Sequence, residues 1–167
     1  MIVHIATGSN LGKRIDHLDR ADKELSLLGR VLRVSPTYET AAVGMAPGTP
    51  LFLNRVVEVA LNPHWANDPS ATMVALLTIE RDMGRTRIEG HVSSRPIDLD
   101  IVLWGDHMVD LPNLTVPHER MLGRRFVLQP LADLVPDRTI PRTGRTVSEH
   151  LHALPADVPD IAPWPTH

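Results

Sequence analysis

Arg95-Pro96-Ile97-Asp98-Leu99-Asp100-Ile101-Val102-Leu103-Trp104-Gly105 is the stretch on which the reading of the chain turns. Apolar residues alternate with Asp98 and Asp100 and then run on into Val102-Leu103-Trp104. This is the pattern of a buried strand with two carboxylates on one face. Strand residues two apart stand roughly 6.5 Å from each other on the same face. Carboxylates so placed repel each other and resist desolvation unless a cation lies between them. An oxygen-only ligand set of this kind suits Mg²⁺, which keeps several waters and shares its remaining sites with substrate phosphates. Arg95, just upstream, is placed to meet the same phosphates. The competing reading is an edge strand whose acids face water. The core-like Ile97, Leu99, Ile101 and Leu103 favour a central strand instead.

Working back toward the N-terminus, Arg85-Thr86-Arg87-Ile88-Glu89-Gly90-His91-Val92-Ser93-Ser94 is a polar, charged loop entering the acidic strand. It reads as a phosphate-handling lid or as a solvated loop. Before it, Met73, Leu76, Ile79 and Met83 fall at helical spacing, with Ser70 as cap and Gly84 as stop. Phe52 to Leu61 reads as a strand with Leu53, Val57, Val59 and Leu61 on one face and Phe52, Asn54 and Val56 on the other. Phe52 and Asn54 together offer a platform and a polar hook for a flat heterocycle, although the same pair also suits an ordinary sheet. Most of Thr37 to Pro50 reads as loop, and Val31 to Ser35 as a strand. Ile2 to Ala6 is a first strand, turned by Thr7-Gly8-Ser9-Asn10 into a helix bearing Leu11, Ile15, Leu18, Leu25 and Leu28. Asn10 is the expected N-cap.

Toward the C-terminus, the segment from Gly105 to Asn113 reads as a hairpin or loop, followed by the extended Leu114-Thr115-Val116-Pro117-His118. Arg120, Arg124 and Arg125 form a basic cluster ahead of a helix that starts near Phe126 and ends before Pro136. Thr146 to Leu154 forms a last short helix. The segment 155–167 holds four prolines and is expected to be an irregular tail. The domain is therefore expected to occupy residues 1–154.

The chain has 167 residues, 43% of them hydrophobic and 22% charged, ordinary values for one globular domain with a real core. A formal net charge of −3 argues against a general nucleic-acid binder. With no cysteine, neither a disulfide nor a thiolate metal site is possible. No apolar run approaches the roughly 18 residues needed to cross a membrane. The N-terminus lacks the pattern of a signal peptide, so a cytoplasmic protein is expected.

Four stretches, taken in order and spacing, resemble the 6-hydroxymethyl-7,8-dihydropterin pyrophosphokinase family of folate biosynthesis. They are Ala6-Thr7-Gly8-Ser9-Asn10-Leu11-Gly12, Phe52-Leu53-Asn54, Arg95-Pro96-Ile97-Asp98-Leu99-Asp100-Ile101, and Leu114-Thr115-Val116-Pro117-His118 running on to Arg124-Arg125-Phe126-Val127-Leu128-Gln129-Pro130-Leu131. The first two are weakly specific alone; the last two together are strongly specific. The resemblance implies an α/β (α+β) fold of the ferredoxin-like kind, an antiparallel sheet with helices packed on it. It implies transfer of the β,γ-pyrophosphoryl group of ATP to the hydroxymethyl group of the pterin, with release of AMP. By position, Asp98 and Asp100 are implied to bind two Mg²⁺ ions that bridge the ATP phosphates. Arg85 and Arg95 are implied near the reacting centre, and Arg87 in the lid. Ile101, Thr115, His118 and Arg124 are implied to line the ATP site. Phe52 and Phe126 are implied to sandwich the pterin, with Asn54 on its edge and Thr40 and the Val43 backbone completing the pocket. The implied partners are ATP and hydroxymethyldihydropterin, with neither nucleic acid nor membrane, and the chain is expected to be a monomer.

Several positions depart from the family pattern. Val92 and Ser93-Ser94 stand where an aromatic and Gly-Pro are common, Phe52 where tyrosine is frequent, and Ala41 where proline is common. Asn113 and Glu119 fill positions where a basic and an aromatic residue are often seen. Two rivals to the enzyme reading are a non-catalytic ferredoxin-like module and a nucleotidyltransferase that moves AMP and releases pyrophosphate. The first requires the acid pair and the arginines to be relics. The second is opposed by the Phe52, Asn54 and Phe126 set.

Overall fold

The computed structural model describes residues 1–165. Its frame is a sheet built from β1 (Ile2–Ser9), β2 (Gly29–Val34), β3 (Tyr38–Thr40), β4 (Phe52–Leu61) and β5 (Asp98–Trp104). A separate hairpin pairs β6 (Val109–Leu111) with β7 (Leu114–Val116), and β8 (Ile161–Pro163) closes the main sheet. The main sheet runs β5-β1-β4-β3-β8, with β2 also on β4, and every pairing is antiparallel. β2 and β3 share one edge of β4: β2 pairs with its second half and β3 with Phe52 to Asn54. Counted without β8, this is the ferredoxin-like arrangement that the resemblance implies.

The helices are α1 (Arg14–Leu25), α2 (Pro63–Ala66), α3 (Pro69–Asp82), α4 (Arg125–Leu134) and α5 (Val147–His152). They divide the core by sheet face. Val3 and Ile5 of β1, Leu53, Val57 and Val59 of β4, and Leu99 and Ile101 of β5 pack with Leu18 and Leu25 of α1 and Leu76 of α3. On the opposite face Val56 and Val102 meet Leu128 and Leu131 of α4 and Val147 of α5. Period-two alternation thus sends one set of side chains to each helix layer. α4 covers only part of its face, and the cleft lies on that face beyond its first turn, where Phe126 and Val127 join the wall.

Several local features differ from the sequence expectations. β5 carries a register shift opposite His4 and Ile5, so Leu103 packs on the α4 side while Leu99 and Ile101 face α1 and α3. A bulge inserts one residue and exchanges the faces beyond it. Helix α3 starts at Pro69, and the Asp68 side chain rather than Ser70 caps it, accepting from Ala71 N–H at 2.9 Å. Most of 37–50 is loop as expected, and Tyr38–Thr40 within it form strand β3. The expected irregular course of 155–167 is interrupted by β8, which pairs with β3; its last two residues lie outside the described ones. No helix among the described residues is long and apolar enough to cross a membrane.

Candidate active site

β1 lies between β4 and β5, and that order sets the layout of the site. Gly8 is in register with Asn54 on one side and Asp98 on the other, and Ala6 is in register with Asp100. The acid pair and the ring-binding candidates therefore abut across a single strand. They line one cavity of about 740 Å³. Its wall includes Thr40, Val43, Phe52, Asn54, Arg85, Arg87, Arg95, Asp98, Asp100, Arg124 and Phe126, all expected from the sequence. Such a volume lies within the range of small-molecule sites, roughly 300–1,000 Å³.

The acidic half is dominated by arginine. Asp98 accepts from Arg85 Nη1 and, at 2.6 Å, from Arg95 Nη2. Burial alone would push the Asp98 carboxyl up, but the two guanidinium groups hold it below its ordinary value. Asp100 is in the opposite position. Burial, and then the Asp98 charge beside it, push its carboxyl up, against the pull of His118 and Arg124. No ion pair to Asp100 forms among the described residues. The result is a half-buried carboxylate with no ion pair among the described residues, next to one that has two. Among the described residues no group of three or more metal-ligating acids or histidines is present. A cation held here must therefore draw most of its ligands from substrate and water, which is how Mg²⁺ binds in phosphoryl-transfer sites. The donor set fits that ion.

Two residues organise this half without having been singled out as site residues in the sequence. Glu80 of α3 is 1% exposed, and it accepts from Arg85 Nη1 at 2.8 Å, Arg87 Nη2 at 2.5 Å and Leu99 N–H at 2.7 Å. Burial pushes its carboxyl up, and these donors pull it back. It fixes both arginines to the strand that carries the acid pair. The signal for it was a lone acid between Leu76 and Met83 on an otherwise apolar helix stripe. Asn10, expected as a helix cap, instead accepts from Arg95 N–H at 2.7 Å and donates to Ser94 Oγ at 3.0 Å and to the Pro50 carbonyl at 3.3 Å. It ties the end of the arginine loop to the approach of β4.

In the ring half, Asn54 donates to Thr40 Oγ1 at 2.8 Å. Arg95 lies over the Phe52 ring at 5.0 Å and Arg124 over the Phe126 ring at 5.4 Å, both within cation–π range. Three expected nucleotide contacts are not on the cavity wall. Ile101 points into the core under α1 and α3, Thr115 sits mid-strand in the β6–β7 hairpin opposite Asp110, and His118 is seated by its N–H on the Val102 carbonyl at 3.3 Å. Of the three, only His118 acts on the acid pair through its charge; burial depresses its own basicity, and Asp100 opposes that. The segment from Arg85 to Ser94 forms neither helix nor strand, and it presents Ile88 and Val92 at 62% and 68% exposure.

An acid pair under an arginine loop, sharing a cleft with Phe52, Phe126 and the Asn54 amide, is a site of the small-molecule phosphotransferase class. Comparison with known proteins narrows the class. The profile of 7,8-dihydro-6-hydroxymethylpterin-pyrophosphokinase (HPPK) matches residues 4–136. A Pseudomonas aeruginosa protein named 2-amino-4-hydroxy-6-hydroxymethyldihydropteridine pyrophosphokinase is 41% identical over 155 residues, covering 92% of this chain and 91% of that one. A Synechocystis protein of the same name is 35% identical over 163 residues, covering 96% and 78%. The crystal structure of wild-type Plasmodium falciparum HPPK-DHPS with pteroate superposes with a TM-score of 0.71 at 15% identity, a likeness of fold. That match covers 90% of this chain and 42% of the other, so this chain spans less than half of that longer protein. The chain belongs to the 7,8-dihydro-6-hydroxymethylpterin-pyrophosphokinase family.

Proposed function

We propose that this cleft transfers the β,γ-pyrophosphoryl group of ATP to the hydroxymethyl oxygen of 6-hydroxymethyl-7,8-dihydropterin, giving AMP and the pterin diphosphate for folate synthesis. The observation that carries the reading is the register of Gly8 with both Asn54 and Asp98. It brings the ring slot and the phosphate-handling half together on one strand, so the reacting oxygen and the β-phosphorus can meet between them.

The pterin lies between Phe52 and Phe126, with Asn54 on its edge, oriented through Thr40, and the Val43 backbone closing the pocket. Arg85 and Arg95 face the reacting phosphates, Arg87 follows them from the lid, and Arg124 and His118 serve the nucleotide, while the side chains of Ile101 and Thr115 stay off the cavity wall. Asp98 and Asp100 hold the Mg²⁺, two ions in this reading, which when bound neutralises phosphate charge and polarises the phosphoryl oxygens. As the hydroxymethyl oxygen attacks the β-phosphorus and loses its proton to solvent, the bond from the β-phosphorus to the α-phosphate oxygen breaks and charge gathers on the departing AMP. Arg85 and Arg95 stabilise that charge, and the remaining catalysis is positioning. No covalent enzyme intermediate is required. Both substrates enter a cleft lined by one chain, which suits a monomeric enzyme, and β8 extends the working unit past residue 154.

Chromatography of the products after incubation with MgATP and hydroxymethyldihydropterin tests this. AMP with pterin diphosphate is expected. ADP would indicate a simple kinase, free pyrophosphate an adenylyl transferase, and absence of turnover a binding module.

A further inference from the structure

The segment Asp160 to Trp164 runs behind the ring half of the cleft. Ile161, Ala162 and Pro163 pair antiparallel with Thr40, Glu39 and Tyr38. Trp164 N–H continues the ladder to the Thr37 carbonyl at 2.8 Å. Hydrogen-bonded pairs alternate along an antiparallel ladder, so Ala162 opposite Glu39 is the next bonded pair, and Pro163 falls at the position that needs no N–H. The same segment faces Ala41, Val43 and Phe126 across a crevice of about 30 Å³. Trp164 is half-buried, and the Arg14 guanidinium lies over its ring at 5.1 Å. Arg14 in turn pairs with Glu39 at 2.7 Å and donates to the Leu51 carbonyl at 2.8 Å, just before Phe52.

β3 is only three residues long and is bonded on one side by β4 and on the other by β8. A strand so short gains little order from one neighbour. Its last residue, Thr40, accepts the hydrogen bond that orients Asn54. We propose that Asp160–Trp164 is a positioning strap for the ring-binding half of the cleft: by pairing with β3 and anchoring Trp164 on Arg14, it sets the Thr40–Asn54 pair and so the affinity for the flat-ring substrate. β5, which carries the acid pair, is bonded to β1 and not to this segment, whose ion pair toward α4 is Asp160 with Arg125 at 3.6 Å. The inference rests on the proposed assignment of Phe52, Asn54 and Phe126 to the pterin.

The test uses the full chain with Ala162→Pro, which removes the N–H facing Glu39, and Ala162→Val, which keeps it on an exposed position. Isothermal titration with the pterin and with a non-hydrolysable MgATP analogue, together with kcat and both KM values, gives the readout. Ala162→Pro is expected to raise the pterin Kd about tenfold, equivalent to about 1.4 kcal/mol. It should leave the nucleotide Kd within about twofold and speed amide exchange at 38–40, while Ala162→Val behaves as wild type. If Ala162→Pro does not fold, Trp164→Ala replaces it, with Trp164→Phe as its conservative control. Equal weakening of both ligands, or no change in either, overturns the strap. Wild-type protein that binds nucleotide but no pterin would instead overturn the functional assignment beneath it; exchange at 38–40 unchanged by Ala162→Pro would still refute the strap in that case.

Discussion

A β-carbon placed on Gly8 would stand 2.7 Å from Asn54 Oδ1 and 3.6 Å from the Phe52 ring. The glycine therefore exists for its neighbour on β4: it lets the amide lie flat over β1 at the boundary between the two halves of the cleft. Because Asn54 is also held by Thr40, it cannot swing away freely.

Gly8→Ala is accordingly expected to fold but to displace the Asn54 amide. Crowding of this kind costs about 1–3 kcal/mol. The loss should fall on pterin binding, with nucleotide binding close to wild type. Separate titrations of the two ligands check this, and equal loss for both would mean that the sheet itself had shifted.

Asp98 and Asp100 should respond differently to neutralisation. Asp98→Asn leaves Arg85 and Arg95 without their shared anion and is expected to lower the thermal midpoint in EDTA. Asp100→Asn removes a half-buried charge that has no ion pair among the described residues and should hold or raise that midpoint. Both variants should lose nearly all turnover, a deficit of several kcal/mol in transition-state stabilisation. A ligand at 100 times its Kd stabilises a fold by about 2.7 kcal/mol. MgATP should therefore raise the wild-type midpoint by several degrees and move that of either variant far less. Near-normal turnover in either variant at saturating Mg²⁺ would remove the metal assignment.

The arginine loop should tighten when both ligands are present. Gly84 and Gly90 adopt φ of +93° and +76°, and between them the chain has little buried apolar surface to order it. The exposed Ile88 and Val92 supply the apolar surface that would close over bound substrate. Amide exchange across 85–94 is expected to slow on adding pterin with a non-hydrolysable MgATP analogue. Exchange that stays fast would deny the loop its role as a lid.

Acid should weaken the fold through a buried network on the α4 side, away from the cleft. His4 Nε2 meets Glu58 at 3.0 Å, and Arg33 donates to the same carboxylate at 2.8 and 2.9 Å. Burial depresses His4 below its ordinary 6.5, against the pull of Glu58, and the Arg33 hydrogen bonds hold Glu58 below its ordinary 4.5. Both shifts act in the same direction. His4 makes the fold less stable as pH falls below 6.5, because the unfolded chain takes up that proton first. Glu58 contributes fully above 4.5, and its contribution is lost as pH falls through its lowered value. A plot of thermal midpoint against pH should therefore fall below 6.5 in two stages, and His4→Gln should flatten the first. An unchanged profile in that variant would exclude His4 as the source.

The elements that carry the site are legible in the sequence because each has a strong local period. β4 and β5 alternate over enough residues to name both faces, and the Asp98 and Asp100 pair follows from that alternation alone. What escapes is tertiary. Asn10 has the local chemistry of a cap, but the Arg95 N–H from a distant loop claims its side chain. β3 is too short to show a period and is completed by a strand from the other end of the chain. Leu103 changes face because of a bulge that no residue in the strand announces. Glu80 is the instructive case: its helical position marks it as buried, and a buried acid requires donors, so a search for arginines to satisfy it leads to Arg85 and Arg87.

The outer margin of β8 has a bearing on how the molecule behaves in a crowded solution. Its middle residue turns its polar groups inward to Glu39, and Pro163 has no amide hydrogen to offer. The Ile161 N–H is the one donor that this short strand turns outward, so the sheet ends on a margin that is a poor template for another chain. The same proline that makes the C-terminal segment read as irregular allows it to cap a sheet without inviting edge-to-edge polymerisation.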